Sequence, residues 1–145
     1  MSAAPYLDTS ALAKWYLNEA RSDDFEAYLR RLDSAAISRL TTVEFRCLLG
    51  RRRRAKEIDG RMEARLLAAF ENDIRAGFLE VHPLEDSHAL RAAGILKRLR
   101  AHPLRTLDAL HLAIAQDLGC RQIATADRIM AAAATALGME VVPFD

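Results

Sequence analysis

Five short apolar segments recur along the chain, and sequence typical of helices separates them. The segments favour strands and lie at 5–8, 35–38, 78–82, 122–125 and 139–144. Two parallel neighbours in a sheet need a crossover connection, which a helix supplies. The alternation therefore predicts an α/β fold with a parallel central β-sheet flanked by α-helices on both faces.

Helix boundaries are predicted from capping residues and from apolar spacing. The first helix is predicted to begin near Ser10 as the N-cap, and the second at Ser22, which is followed by acids that suit a first turn. The remaining helices are predicted at about 42–56, 59–76, 87–100, 106–118 and 127–138. Because the 145 residues contain no repeat and no flexible linker, a single domain over 1–145 is expected.

Composition limits the classes of function. Lys and Arg total 21 against 20 Asp and Glu, so a site for nucleic acid or a membrane would have to come from local clustering of charge. Cys47 and Cys120 lie far apart and outside any Cys-x-x-Cys pair, which argues against a disulfide framework or structural zinc. The chain shows no signal peptide and no apolar stretch of membrane-spanning length, so a cytoplasmic location is expected.

Acidic residues occur where an open α/β sheet would bind a ligand, just after predicted strands or in the first turn of a helix. Asp8 closes the first strand, Glu44 lies in the opening turn after the second, and Asp127 begins the helix after the fourth. Asp108 opens another helix. Capping and the helix dipole would explain each acid singly. The three aspartates have apolar neighbours, however, where an unpaired charge is costly to bury, so a compensating positive charge is expected.

The compensating charge has two candidate sources. Arg105, Arg128 or Arg46 could supply it, although Arg46 would leave its helix in a different direction from Glu44. A bound ion is the better explanation, and hard oxygen ligands without converging His or Cys select Mg²⁺ or Mn²⁺. Such an ion polarises a phosphoryl oxygen and lowers the pKa of bound water, which is chemistry suited to the hydrolysis of a phosphodiester.

Three further polar residues accompany the acids. Ser10 and Thr125 lie two residues from Asp8 and Asp127, where their hydroxyls can hydrogen-bond a carboxylate or a phosphate, or cap a helix or turn. Arg105 precedes the helix that carries an acid, and we expect it to contact a phosphate or to balance the acids.

Four blocks of sequence, in order along nearly the whole chain, resemble the motifs of PIN-domain ribonucleases, and most of all those of VapC toxins. They read "YLDTSALAKWYLNE", "TTVEFRCLL", "RTLDALHLAIA" and "TADRIMAAAATALGMEV". The resemblance implies a PIN-like fold with an acidic quartet at Asp8, Glu44, Asp108 and Asp127. The acids would bind Mg²⁺ or Mn²⁺, with the aspartates as ligands, and activate water to cut single-stranded or looped RNA, leaving a 5′-phosphate and a 3′-hydroxyl. Ser10 and Thr125 match small polar positions of the family.

The resemblance also implies partners. VapC proteins are usually homodimers, and a small antitoxin neutralises them by laying its tail against the toxin and obstructing the active site. An RNA substrate, a VapB-like antitoxin and a homodimer are therefore expected for this chain. The family pattern does not account for the basic run "GRRRRAKE" at 50–57.

Three other features have more than one interpretation. Arg51–Arg54 could grip an RNA backbone, but consecutive helical residues spread around the circumference, which favours a solvated helix end. His111 lies one turn after Asp108 and could reach the same site, although a structural role is favoured because hard-oxygen sites seldom recruit a single imidazole. Trp15 is expected to pack in the core or in a dimer interface rather than to stack on a base.

Three rival functions are weaker. A haloacid-dehalogenase-type phosphatase needs a second aspartate two residues after Asp8, where Ser10 stands. A response-regulator receiver needs a phosphoacceptor aspartate after its third strand, and Asp86 lies too far along. The serious alternative is a PIN-like module that binds RNA or protein without cutting, and the complete acid set argues against it.

Overall fold

A five-stranded sheet forms the centre of the protein in a computed structural model that describes residues 3–145. The strands are β1 Tyr6–Leu7, β2 Ala35–Ser38, β3 Leu79–His82, β4 Gln122–Thr125 and β5 Glu140–Pro143. All neighbouring strands are parallel, in the order β3-β2-β1-β4-β5. Each predicted strand is confirmed, with bounds that differ from the prediction by no more than one residue at either end.

Seven helices surround the sheet within residues 3–145. They are α1 Thr9–Tyr16, α2 Ser22–Leu29, α3 Arg39–Arg54, α4 Gly60–Arg75, α5 Asp86–Arg98, α6 Thr106–Asp117 and α7 Arg128–Ala136. The predicted N-cap of α1 is wrong: Asp8 caps the helix instead of Ser10, because its Oδ1 accepts the Ala11 N–H at 3.0 Å. None of the helices described here has both the length and the apolar character needed to traverse a lipid bilayer.

α3 begins earlier than predicted, and this moves Glu44. The helix begins at Arg39 rather than near 42, directly after Ser38 at the end of β2. The Oγ1 of Thr41 accepts the Ser38 N–H at 3.2 Å, so a local cap replaces the expected connecting residues. Glu44, predicted in the opening turn, therefore lies in the second turn of α3.

The core is divided between the two faces of the sheet, because successive side chains of a strand point to opposite faces. Tyr6 and Ile123 pack into a cluster with α5, α6 and α7. Leu7 and Ala124 pack into a second cluster with α1, α2, α3 and α4. Trp15 is half-buried against this second cluster, in agreement with its predicted packing role. The prediction of a parallel sheet covered by helices on both faces is confirmed.

The strand order creates a crevice at the carboxyl ends of β1 and β4. From β1 the chain adds β2 and β3 on one side and then returns to lay β4 against the other side of β1. Open α/β sheets bind ligands at such a switch point. Asp8 follows β1 and Thr125 ends β4, so both residues stand at this crevice.

Candidate functional site

A cleft of about 580 Å³ opens at the crevice between β1 and β4. The starts of α1 and α6 and one face of α3 contribute to its walls. All four predicted acids and two further predicted residues line it: Asp8, Glu44, Asp108, Asp127, Ser10 and Arg105. Thr125, the remaining predicted residue, is buried and hydrogen-bonded to Asp8. The fold thus brings every predicted site residue to one place.

Asp8 is buried, and neutral donors hold it. Its Oδ1 accepts hydrogen bonds from Ser10 Oγ at 2.7 Å and the Ala11 N–H at 3.0 Å, and its Oδ2 accepts one from Thr125 Oγ1 at 2.5 Å. Burial raises the pKa of the Asp8 carboxyl, and these hydrogen bonds, together with nearby His111, offset the rise only in part. The ionised carboxylate therefore lacks a sufficient positive partner.

The hydroxyls of Ser10 and Thr125 also secure the chain after β4. Ser10 Oγ accepts the N–H of Ala126 at 2.9 Å, and Thr125 Oγ1 accepts the N–H of Asp127 at 3.0 Å. Each hydroxyl donates to Asp8 as well. Of the contacts predicted for these two residues, the structure therefore contains the one with a carboxylate for both and the turn cap for Thr125.

Glu44 has a different kind of partner. Its Oε1 accepts hydrogen bonds from Thr9 Oγ1 at 2.8 Å and from His111 Nε2. An ionised carboxylate can only accept, so the imidazole proton that faces it is on Nε2. Burial alone would raise the pKa of Glu44, but the bonds from these two donors and the charge of Arg105 lower the pKa overall. Within residues 3–145, Glu44 Oε2 makes no hydrogen bond.

The imidazole of His111 joins the cleft to the centre of the sheet. The residue is 2% exposed, and its Nδ1 lies 2.6 Å from the hydroxyl of Tyr6, which is also 3.0 Å from Ser38 Oγ. Burial agrees with the structural role predicted for His111, but its contact with a cleft acid was not predicted. Tyr6 and Thr9 are also absent from the predicted site residues, and the sequence signal for Thr9 is its hydroxyl directly after Asp8.

Arg105 lies near the other two acids. Its Nε is 3.4 Å from Asp108 Oδ2, and its Nη2 is 3.5 Å from Asp127 Oδ2. The side chain is 78% exposed, so these long contacts contribute little and break readily. Arg105 therefore balances the charge of the two acids only weakly and can turn toward a ligand. Asp127 also has a structural role, because its Oδ1 caps α7 by accepting two backbone N–H groups.

The two other arginines considered as counter-charges lie elsewhere. Arg128 pairs with Asp145 at 2.6 Å, and Arg46 pairs with Glu71 at 3.2 Å. Neither arginine lines the cleft. The divergence expected for Arg46 is therefore present, and neither of these two arginines compensates the cleft acids.

The donor set fits a divalent cation. Asp8, Asp108 and Asp127 offer carboxylate oxygens, which are hard ligands. Both nitrogens of His111, the imidazole that lines the cleft, contact protein partners. The raised pKa of Asp8 marks a deficit of positive charge that a cation would remove.

A second group of ligand-type side chains has a structural explanation. Glu85, His88 and Asp117 bring carboxylate and imidazole atoms within 4.8 Å of one another. Both ring nitrogens of His88 are occupied, since Nδ1 accepts the Glu85 N–H at 3.0 Å and Nε2 lies 2.9 Å from Asp117 Oδ2. The group ties α5 to α6 and is not part of the cleft.

The basic run Arg51–Arg54 spreads around the end of α3, as helical geometry predicts. Arg52 and Arg53 form ion pairs with neighbouring glutamates. Arg54 is exposed and does not line the cleft. Arg51 does line it. The four arginines therefore do not act as one surface.

Comparison with known proteins identifies the family. The family model for the PIN domain matches residues 6–136. Ribonuclease VapC46 of Mycobacterium tuberculosis is 37% identical over 143 residues, which are 97% of this chain and 97% of that protein. The chain belongs to the PIN-domain family, and its predicted similarity to VapC proteins is confirmed.

Solved structures share the fold. VapC20 of Mycobacterium tuberculosis, described as a sarcin-ricin loop cleaving toxin, has a TM-score of 0.71 and 20% identity, over 90% of this chain and 95% of that chain. A DNA-bound VapBC from Salmonella typhimurium has a TM-score of 0.65 and 21% identity, over 99% of this chain and 100% of that chain. The predicted PIN-like fold is confirmed.

Proposed function

We propose that this chain is a Mg²⁺- or Mn²⁺-dependent endoribonuclease and the toxin of a toxin–antitoxin pair. The proposal rests on the convergence of Asp8, Glu44, Asp108 and Asp127 on one cleft at the switch point of the sheet. The 37% identical relative is named a ribonuclease, and VapC20 is described as a sarcin-ricin loop cleaving toxin. We extend this class of reaction, hydrolysis of an RNA phosphodiester, to residues 1–145 as a single PIN domain.

We assign the aspartates to the metal. Asp8, Asp108 and Asp127 would hold the ion through carboxylate oxygens, with Ser10 and Thr125 fixing the position of Asp8. A bound Mg²⁺ or Mn²⁺ polarises a phosphoryl oxygen and lowers the pKa of a bound water. In this assignment Asp8 gains the positive partner that it lacks within the protein.

We assign Glu44 to the attacking water. Its lowered pKa keeps the carboxylate ionised at neutral pH, and Thr9 and His111 fix the position of Oε1. Its Oε2 is then left to accept a hydrogen bond from the water and to orient it toward phosphorus. We assign Arg105 to a phosphate oxygen, because its guanidinium is exposed and its contacts with the acids are long.

The partners follow from the same proposal. We propose a VapB-like antitoxin that covers the cleft and a homodimer as the form of the toxin. The neighbour from Salmonella typhimurium is described as VapBC. We also propose a cytoplasmic location, since the free thiols of Cys47 and Cys120 suit a reducing compartment.

Cleavage of a mixed RNA pool tests the proposal. Purified chain, stripped of any co-purifying antitoxin, is incubated with RNA in Mn²⁺ or in EDTA, alongside Asp8→Asn and the control Asp23→Asn. Asp23 is an exposed acid on α2 that does not line the cleft. We expect wild type and Asp23→Asn to cleave the RNA in Mn²⁺ but not in EDTA. We expect no cleavage by Asp8→Asn in either condition. No cleavage by wild type would favour a binding module that does not cut. Equal cleavage by Asp8→Asn would show that the cleavage does not depend on this acid, and the proposed nuclease site would then be wrong.

A further inference from the structure

One face of α3 forms a stripe along the cleft that begins near the acids and ends at the basic run. Its members recur at intervals of three or four residues, which places them on one side of a helix. The stripe consists of Leu40, Val43, Glu44, Cys47, Leu48 and Arg51. Arg51 lies seven positions after Glu44, so the two are about 10 Å apart along the helix axis.

Among the four arginines of the run, Arg51 alone both lines the cleft and lacks an ion pair within residues 3–145. Arg54 also forms no ion pair there, but it does not line the cleft. Arg52 and Arg53 each form ion pairs with glutamates. Arg51 is exposed, lines the cleft, and forms neither an ion pair nor a side-chain hydrogen bond with any residue in the part of the chain that the structure describes. A guanidinium is a strong bidentate donor for phosphate, so Arg51 presents an unused anion-binding group to the cleft.

Exposed apolar side chains adjoin the acids of the cleft. Val43 on α3 is 58% exposed, and Leu107 on α6 is 42% exposed, although both line the cleft. These side chains offer a surface for the apolar face of a nucleobase. The cleft thus presents a group of carboxylates suited to a metal and the scissile phosphate, exposed apolar side chains next to these acids, and a free guanidinium farther along α3.

We propose that Arg51 binds a backbone phosphate of the RNA substrate, on the same strand as the scissile phosphate but farther along α3. The inference rests on the proposed ribonuclease function and deepens it by assigning a second phosphate subsite. The separation of about 10 Å from Glu44 places Arg51 beyond the reacting phosphate, so it contributes to substrate binding rather than to the chemical step. Arg52, Arg53 and Arg54 have no part in this subsite.

The test compares two charge removals at the same helix end. Arg51→Ala and Arg54→Ala are each made in the Asp8→Asn background, and the affinity for a labelled single-stranded RNA is measured from about 50 to 300 mM salt. Each phosphate contact contributes about 0.7 to the slope of log K against log salt for a single strand. We expect Arg51→Ala to lower the slope by about 0.7 and the affinity by about three- to tenfold at 0.1 M salt, while Arg54→Ala changes neither.

Cleavage kinetics in the otherwise wild-type chain supply a second readout. Arg51→Ala should raise KM by a similar factor and leave kcat nearly unchanged, because the contact is equally present in ground and transition states. Equal slope changes in the two variants would show bulk electrostatics and overturn the subsite. So would a loss of antitoxin affinity in Arg51→Ala with an unchanged RNA slope, which would assign the arginine to the protein partner.

Failure of this inference is distinguishable from failure of the proposed function. If wild type cleaves RNA in Mn²⁺ and the two arginine variants behave alike, only the subsite is wrong. If wild type neither cleaves nor binds RNA, both are wrong. Circular dichroism melts of both variants check that each change leaves the fold intact.

Discussion

The cleft has two sides that hold a carboxylate in opposite ways. The sheet side consists of Asp8 with Ser10 and Thr125, which stand at the ends of β1 and β4. There the donors are two hydroxyls and a backbone amide, all neutral, and burial raises the pKa of the Asp8 carboxyl. The charge of this side is only partly compensated from within the protein.

The helix side consists of Glu44 with Thr9 and His111, from α3, α1 and α6. Burial raises the pKa of Glu44 here too, but the imidazole, the hydroxyl and a nearby guanidinium more than offset it. On the proposed function, we therefore assign the two acids separate tasks. Asp8 would bind a cation, whereas Glu44 is ionised and oriented by groups of the protein itself.

The largest expected effect comes from removing one acid on each side. Asp8→Asn should lower kcat/KM for RNA by about 10³-fold or more, and Glu44→Gln by about 10²-fold. Calorimetric titration with Mn²⁺ separates their tasks: Asp8→Asn should weaken metal binding by about tenfold or more, while Glu44→Gln leaves it nearly unchanged. Equal losses of Mn²⁺ affinity in the two variants would contradict the separate tasks of Asp8 and Glu44.

A smaller effect is expected from the imidazole of the helix side. His111→Leu should lower kcat by about 10–100-fold with little change in Mn²⁺ affinity, because Glu44 loses the donor that orients it. His111→Gln should restore much of the activity, since its amide can donate to the same oxygen.

His88 provides the matched control for that substitution, because its Nε2 also contacts a carboxylate but lies outside the cleft. His88→Leu should lower the melting temperature without a comparable loss of kcat. Equal losses of kcat in His111→Leu and His88→Leu would assign His111 to folding alone. The same conclusion would follow if His111→Gln were as inactive as His111→Leu.

The smallest expected effect is on stability, and its sign differs between the two sides. The raised pKa of Asp8 means that its charge destabilises the metal-free fold at neutral pH and that this cost disappears as the pH falls below the raised pKa. Asp8→Asn should therefore raise the melting temperature at pH 7–8, on the order of a few degrees, and the gain should shrink toward acid pH.

The lowered pKa of Glu44 has the reverse consequence. Its charge stabilises the fold above the unfolded-state pKa, and this contribution is lost as the pH falls through the lowered folded-state pKa. Glu44→Gln should therefore lower the melting temperature at neutral pH, with a loss that diminishes in acid. Thermal melts of both variants in EDTA from pH 4 to 8 measure the two signs, and shifts in the same direction would contradict the contrast between the sides.

The fold was predictable because its signal is local. Short runs of strand-favouring residues alternate with helical sequence, and each predicted strand is present within one residue of its expected bounds. Helix starts were less predictable, since capping depends on which side chain reaches an N–H group. Asp8 caps α1 in place of Ser10, and α3 begins directly after Ser38.

The convergence of the four acids was predictable from their places after strands or near helix starts, but the groups that set their charge were not. His111 and Glu44 are 67 residues apart, and no pattern in the sequence connects them. The separate position of Arg51 likewise depends on how α3 is rotated against the sheet. Sequence spacing limits which residues share a helix face, and only tertiary packing decides which face meets the cleft.

β1 contains two residues, yet it lies in the middle of the sheet and the proposed active site begins directly after it. Tyr6 points to one face and reaches His111, Leu7 points to the other, and Asp8 enters the cleft. An insertion or deletion of one residue between Pro5 and Asp8 would exchange these directions, because side chains of a strand alternate. We expect such a change to disrupt the proposed site with every one of its side chains still encoded, so the length of this segment matters as much as its composition.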